Sequence, residues 1–388
     1  MSRLIKNIPD EWKVVELGDA CHNNGEYGIN AAAVEYSDDL PTYLRITDIN
    51  EGGNFLNLGK KSVSDPNYEK FILDKGDIVF ARTGATVGKT YLYDEKDGEL
   101  VFAGFLIRFK PKHKVLDSYF LKLFTSTNIY WNWVKLMSMR SGQPGINAQE
   151  YSSLRIPLPP FPEQQKIASI LSKWDELIET QTQLIEEKEK QKKGLMQKLL
   201  TGKVRFPGFE EEWEYKLLED VLDYEQPTKY IVKSTNYSDN YSTPVLTAGK
   251  TFLLGYTNET KGVYKDCLPV IIFDDFTTAN KFVDFQFKVK SSAMKILKAK
   301  SEEYNIYFIY EMFQILEFLP SDHKRYWISE YSQLEIPVPD IKEQLMISEF
   351  ASRLKLEIQF LKDKLDSIKL QKKGLMQQLL TGKIRVKI

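Results

Sequence analysis

Residues 191–205 read QKKGLMQKLLTGKVR, and residues 371–385 read QKKGLMQQLLTGKIR. Thirteen of the fifteen positions are identical, at an offset of 180 residues. The match extends backwards. YSSLRIPLP (151–159) corresponds to YSQLEIPVP (331–339), and each is followed by a Glu-Gln pair, Glu163-Gln164 and Glu343-Gln344, at the same offset. Further upstream, DEWKVVELGD (10–19) weakly echoes EEWEYKLLED (211–220). The chain is therefore one unit written twice, globular segment then long segment, in each half.

The long segments carry a seven-residue apolar rhythm. Ile167, Trp174, Gln181, Lys188 and Leu195 recur beside Leu171, Ile178 and Ile185; Ile347, Leu354, Leu361, Ile368 and Leu375 recur beside Ala351, Ile358 and Leu365. That spacing predicts coiled-coil helices. Prolines at 157, 159, 160 and 162 exclude helix before Glu163, and Pro339 does the same in the second copy. Gly202 and Gly382 stand where a left-handed helix cap belongs. Gly194 and Gly374 fall inside the helices, where close backbone approach is the expected reason for them. A helix over 163–200 spans about 57 Å. Connectivity predicts that the two helices pack antiparallel, with a pseudo-twofold relation between the halves.

Composition bounds the rest. With 388 residues, 42% hydrophobic and 13% aromatic, packed domains are expected and disorder is not. No apolar run reaches membrane-spanning length, and MSRLIKNIPDEWK has no apolar core of a secretory signal. Two cysteines, Cys21 and Cys267, make no disulfide framework, so a cytoplasmic protein is expected. A net charge of −1 gives no bulk argument for nucleic-acid binding.

The fold class expected is α+β: two mixed α/β lobes separated by an antiparallel coiled coil, with an internal pseudo-twofold. The domains expected are 1–156 and 206–340 as lobes, with 157–205 and 341–388 as long repeated helices. Strands are predicted at TYLRI, GDIVFAR, TYLYD and LVFAGFLIRF in the first lobe, with a helix over Ser118–Met137. In the second, strands are predicted near TPVLT, LPVIIF, FVDFQF and AMKIL, with a helix near Tyr304–Leu319. The lobes differ far more than the helices do. A fixed part suits two copies of one partner; a variable part suits two different short targets.

Catalytic motifs are lacking. GATVGKT (84–90) has three residues where a P-loop needs four between Gly and Gly-Lys, and a strand-like TYLY follows it. His22, His113 and His323 have no metal-ligand spacing to cysteine. Asp274-Asp275 is an acidic pair at a strand end, a loop start or the centre of an enzyme. The polar loops are richer. Arg82, Thr83, Thr86 and Lys89 flank glycines that permit close approach to a phosphate backbone. MRSGQPGINAQ offers Arg140, Ser141, Gln143 and Asn147; FDDFTTANKF offers Asp275, Thr277, Thr278, Asn280 and Lys281; SDHKRYW offers Lys324, Arg325 and Tyr326. Arg45, Thr47, Thr247, Lys250 and Ser291 complete the candidate DNA-contacting set. Arginine suits guanine, amides suit adenine, and Lys or Thr holds phosphate.

IPLPPFPEQQKIASIL with QKKGLMQKLLTGKVRF, repeated as IPVPDIKEQLMISEF with QKKGLMQQLLTGKIR, resembles the specificity subunit of type I restriction-modification systems over the whole chain. The resemblance implies a subunit without catalytic activity or cofactor of its own. Each recognition domain would read one half of a bipartite double-stranded DNA target, with the helices setting the unread spacer. Two methyltransferase subunits carrying S-adenosylmethionine would dock on the helices, and ATP- and Mg-dependent restriction subunits would join them. The competing expectations are a coiled-coil scaffold that binds proteins and an enzyme built on Asp274-Asp275.

Overall fold

A computed structural model describes residues 8–139, 143–249, 251–320 and 324–388. The chain forms two compact units, one of residues 1–181 with 364–388 and one of residues 182–363. Each unit takes a lobe, the first half of one long helix and the last part of the other.

In the first unit, strand Lys13–Glu16 pairs antiparallel with Arg155–Leu158, which leads into the first long helix. Between them lie two four-stranded sheets. One runs in the order Glu26–Tyr27, Leu106–Phe109, Ile78–Ala81, Thr90–Leu92; the other runs Ala33–Glu35, Lys61–Val63, Thr42–Leu44, Leu100–Phe102. All four predicted strand regions are present. The helix predicted over Ser118–Met137 is two helices, Ser118–Phe124 and Asn128–Met137. Thr127 restarts it: its hydroxyl accepts from the Tyr130 amide at 3.3 Å, a local bond that competes with helix continuation. Phe80, Phe109, Phe120, Phe124, Tyr130 and Tyr151 fill the core, joined by Ile167 and Leu171 of the first long helix and Met376, Leu379 and Leu380 of the second.

The second unit repeats the plan. Glu214–Leu217 pairs with Glu335–Val338 before the second long helix. One sheet has the order Leu222–Glu225, Met294–Ala299, Val270–Asp274, Asn280–Val283; a three-stranded sheet has Leu253–Thr257, Thr243–Leu246, Lys288–Val289. FVDFQF is not one strand. It leaves the first sheet at Val283 and joins the other at Lys288, because Asp284, Phe285 and Gln286 are exposed in succession, which a strand with one buried face cannot accommodate. The helix predicted near Tyr304–Leu319 is confined to Ile306–Phe313.

The long helices span Phe161–Leu200 and Ile341–Leu379. The first starts two residues earlier than the prolines suggested. Pro162 sits in the first turn, where its missing N–H has no helical partner to lose. Gly202 and Gly382 adopt φ of +67° and +71° past the two ends, as their positions predict. The apolar seam holds for Ile167, Leu171, Gln181 and Ile185, and for Ile347, Ala351, Ile358, Leu365 and Ile368. It then slips by one position: Met196 and Met376 are buried where Leu195 and Leu375 were predicted. A straight helix drifts about 20° per heptad against a seven-residue repeat, and four heptads accumulate most of one residue's turn. Gly194 and Gly374 contradict their expectation, because a Cβ on either would meet nothing within 4 Å. The chain itself makes no close approach there.

Within each unit the helix segments lie antiparallel. In the first, Asp175 is ion-paired with Lys372 and accepts from the Tyr119 hydroxyl at 2.6 Å, while Glu163 meets Arg385. In the second, Lys188 pairs with Glu357 at 2.6 Å while Arg205 meets Glu343.

Candidate nucleic-acid interface

The repeated peptides explain how the lobes are held. Glu163 is fully buried and Glu343 is 1% exposed. Arg385 grips Glu163 through Nε (2.6 Å) and Nη2 (2.8 Å), and Trp12 donates its indole N–H at 3.3 Å. Arg205 grips Glu343 through Nε (3.0 Å) and Nη2 (2.7 Å), and Trp213 donates at 2.9 Å. Each carboxylate raises the pKa of its arginine further, chiefly through these hydrogen bonds. The neighbouring glutamines are also buried. Gln164 accepts from the Asp117 amide (2.9 Å) and donates to the carbonyls of Val115 (2.9 Å) and Pro159 (2.9 Å). Gln344 accepts from the Asn305 amide (2.8 Å) and donates to Glu303 (3.0 Å) and Pro339 (2.8 Å). The start of one long helix and the tail of the other thus clasp the same lobe. That is why the peptide occurs twice, once for each lobe.

The loops held by this frame differ. In the first lobe a cleft of about 570 Å³ is lined by Tyr27, Arg45, Thr47, Arg82 and Phe105 among others. The turn after Arg82 is tied to residues 144–146: Gly84 N–H donates to Pro144 O (3.0 Å) and Ile146 N–H donates to Arg82 O (2.9 Å). Gln143 Nε2 lies 3.3 Å from where a Cβ on Gly84 would sit, so Gln143 borders the turn that follows Arg82. Thr47 is exposed on the cleft. Three other candidates are spent. Arg45 binds Asp48 through Nε (2.8 Å) and Nη2 (2.6 Å) and braces the Gly59 carbonyl at 3.3 Å. Lys89 pairs with Glu51 at 2.6 Å. Asn147 caps helix Ala148–Ser152, accepting from the Glu150 amide at 2.8 Å while Glu150 accepts from its own amide at 2.7 Å. Arg140 and Ser141 lie outside the described residues.

In the second lobe Asp275 is 1% exposed. Its carboxylate accepts from the Trp327 amide at 2.8 Å and lies 3.5 Å from the Lys295 ammonium, itself 2% exposed. Tyr326 is fully buried against Phe318. Both were candidate base contacts; the structure makes them the anchor of the 326–331 turn. Asp274 accepts from the amides of Phe276 (3.0 Å) and Thr277 (2.9 Å), an Asx turn that opens the loop, so the acidic pair is structural. Asn280 receives the Gln314 amide at 2.7 Å. Thr277, Lys281, Ser291, Lys324 and Arg325 are exposed, with Lys324 ion-paired to Glu330. Thr247 is half-buried and donates to the Thr251 carbonyl at 2.7 Å; Thr278 stands at φ +57°. Lys250 lies outside the described residues. The sequence reading missed Tyr27 and Phe105, which are 43% and 57% exposed on the cleft. The only signal for Phe105 was a large apolar residue directly after a glycine between two strands.

Among the described residues no group of three or more His, Cys, Asp or Glu could hold a metal ion, and no helix is long and apolar enough to cross a membrane. A family model described as "Type I restriction modification DNA specificity domain" matches residues 9–190 and 210–370. The Type I restriction enzyme EcoR124I/EcoR124II specificity subunit of Escherichia coli is 56% identical over 136 residues, 34% of this chain and 33% of that protein. The Type I restriction enzyme MjaVIII specificity subunit of Methanocaldococcus jannaschii is 26% identical over 98% of this chain and 94% of its own. Among solved structures, the type I restriction-modification system S subunit from M. genitalium superposes with a TM-score of 0.62 at 16% identity, over 99% of this chain and 98% of that one. With the family model spanning both halves, the chain belongs to the type I restriction-modification DNA specificity family, and its task is DNA recognition within such a system.

Proposed function

We propose that each lobe reads one half of a bipartite double-stranded target and that the chain performs no chemistry itself. The recognition domains are residues 1–156 and 206–340; the helical regions 157–205 and 341–388 set the unread spacer and dock two methyltransferase subunits, to which restriction subunits add. S-adenosylmethionine, ATP and Mg belong to those partners, and the assembly works in the cytoplasm. One observation carries this reading: Glu-Arg-Trp and Gln locks repeat almost atom for atom in both units, while the loops they hold share no pattern. A constant frame suits a partner present twice, and unlike loops suit unlike half-sites. Contacts to DNA fall to Thr47, Arg82, Thr83, Thr86 and Gln143 in one lobe. In the other they fall to Thr277, Thr278, Lys281, Ser291 and Arg325. The test is selection from random duplex DNA by gel shift, with the cognate methyltransferase subunit present. Two conserved blocks at fixed separation are expected; enrichment of no sequence refutes the reading.

A further inference from the structure

The cleft in the first lobe holds an arginine set apart from its neighbours. Arg45, the other arginine lining the cleft, is ion-paired with Asp48. Arg82 has no carboxylate partner among the described residues. Its guanidinium lies 4.7 Å over the Tyr27 ring, and Nη1 donates to the Gly104 carbonyl at 3.4 Å. The ring is itself fixed, because the Tyr27 hydroxyl accepts from the Ala148 amide at 3.1 Å. The Arg82 backbone is locked on both sides, N–H to Phe105 O (3.0 Å) and C=O from Ile146 N–H (2.9 Å). A planar fork of donors is thus oriented before any ligand arrives, beside the exposed ring of Phe105.

We propose that Arg82 reads a guanine in the half-site of the first lobe, donating two hydrogen bonds to O6 and N7, with Phe105 against the 5-methyl edge of an adjoining thymine. A phosphate can also take the planar fork, but it gains nothing from an apolar neighbour. A base edge needs the fixed fork and tolerates the ring. The inference rests on the proposal that this lobe reads DNA.

The experiment uses the full chain in complex with its methyltransferase partner. The selected duplex and its single-base variants are titrated against wild type, Arg82→Ala and Arg82→Lys, each checked for unchanged melting temperature. Arg82→Ala is expected to lower affinity roughly ten- to hundredfold, the range of one bidentate base contact. It flattens discrimination at one G·C pair in one half-site only. Arg82→Lys weakens discrimination at the same position without abolishing it, since an ammonium can still donate to O6 and N7 but is not held in a planar fork. Replacing that guanine with 7-deazaguanine, which lacks N7, weakens wild type and leaves Arg82→Ala unchanged. Replacing the adjoining thymine with uracil weakens wild type and not Phe105→Ala. A uniform loss over all sequences with a shallower salt dependence makes Arg82 a phosphate contact and overturns the proposal, as does full G·C discrimination in Arg82→Ala. A wild-type complex with no sequence preference overturns the half-site reading beneath it.

Discussion

Gln164 is the residue whose removal the structure prices most cleanly. It is 1% exposed and uncharged, so burial is complete and no ion pair complicates the accounting. Its amide orientation is fixed by its partners, one N–H at Oε1 and two carbonyls at Nε2. Gln164→Ala leaves three main-chain groups without this partner, the buried Pro159 carbonyl and the part-buried Asp117 amide and Val115 carbonyl. At about 1 kcal/mol net for each lost bond, the cost is about 3 kcal/mol, and more where water cannot enter. For a unit of this size that lowers the melting temperature by roughly 6–12 °C. Gln164→Glu is also destabilising, because a carboxylate oxygen then faces the Val115 and Pro159 carbonyls. Gln165→Ala, one residue on and exposed, is the control, with a change within about 0.5 kcal/mol. Thermal unfolding gives the totals, and hydrogen exchange locates the effect. Protection is expected to fall first over residues 115–124 in Gln164→Ala and over 303–313 in Gln344→Ala. Equal stability of the Gln164 and Gln165 variants would refute the claim that this side chain seats the lobe on the helix.

Further outcomes follow from the same frame. Gly194→Ala and Gly374→Ala each stabilise the free chain by about 0.5–1 kcal/mol in urea unfolding, since the new Cβ meets open space; destabilisation contradicts this. If partner subunits approach those glycines, the same variants weaken assembly with the methyltransferase, read by analytical ultracentrifugation. Asp275→Ala leaves the buried Lys295 ammonium, among the described residues, with the Tyr224 ring 4.7 Å away and no carboxylate, and costs about 3 kcal/mol. A stable Asp275→Ala with altered DNA preference would instead restore it as a base contact.

The helices and their pairing were legible because periodicity and caps are local: seven-residue spacing, prolines before and glycines after. The slip to Met196 and Met376 was not, because it depends on accumulated twist and on the lobe cores that receive those side chains. The buried central strands of the lobes were found from apolar runs, but strands with mostly exposed or half-buried residues, such as Lys13–Glu16, Ala33–Glu35 and Leu253–Thr257, were not predicted. FVDFQF misled because its alternation fails only at the point where it changes sheets. Among the candidate loop residues, chemistry alone could not separate spent groups from free ones. Arg45 and Arg82 look alike in sequence, yet an aspartate three residues on occupies the first, while the second lies on a tyrosine 55 positions earlier. The Glu163–Arg385 lock was equally invisible, although both residues belong to the repeat, because its partners are 222 positions apart.

The most direct test exchanges one reading head. Residues 206–340 are replaced by the corresponding lobe of a relative with a different target, the chain is expressed with its methyltransferase, and methylated bases are mapped across a genome. The account predicts that one block of the methylated sequence changes to the donor's while the other block stays as before. A target altered in both blocks, or unaltered in either, contradicts it.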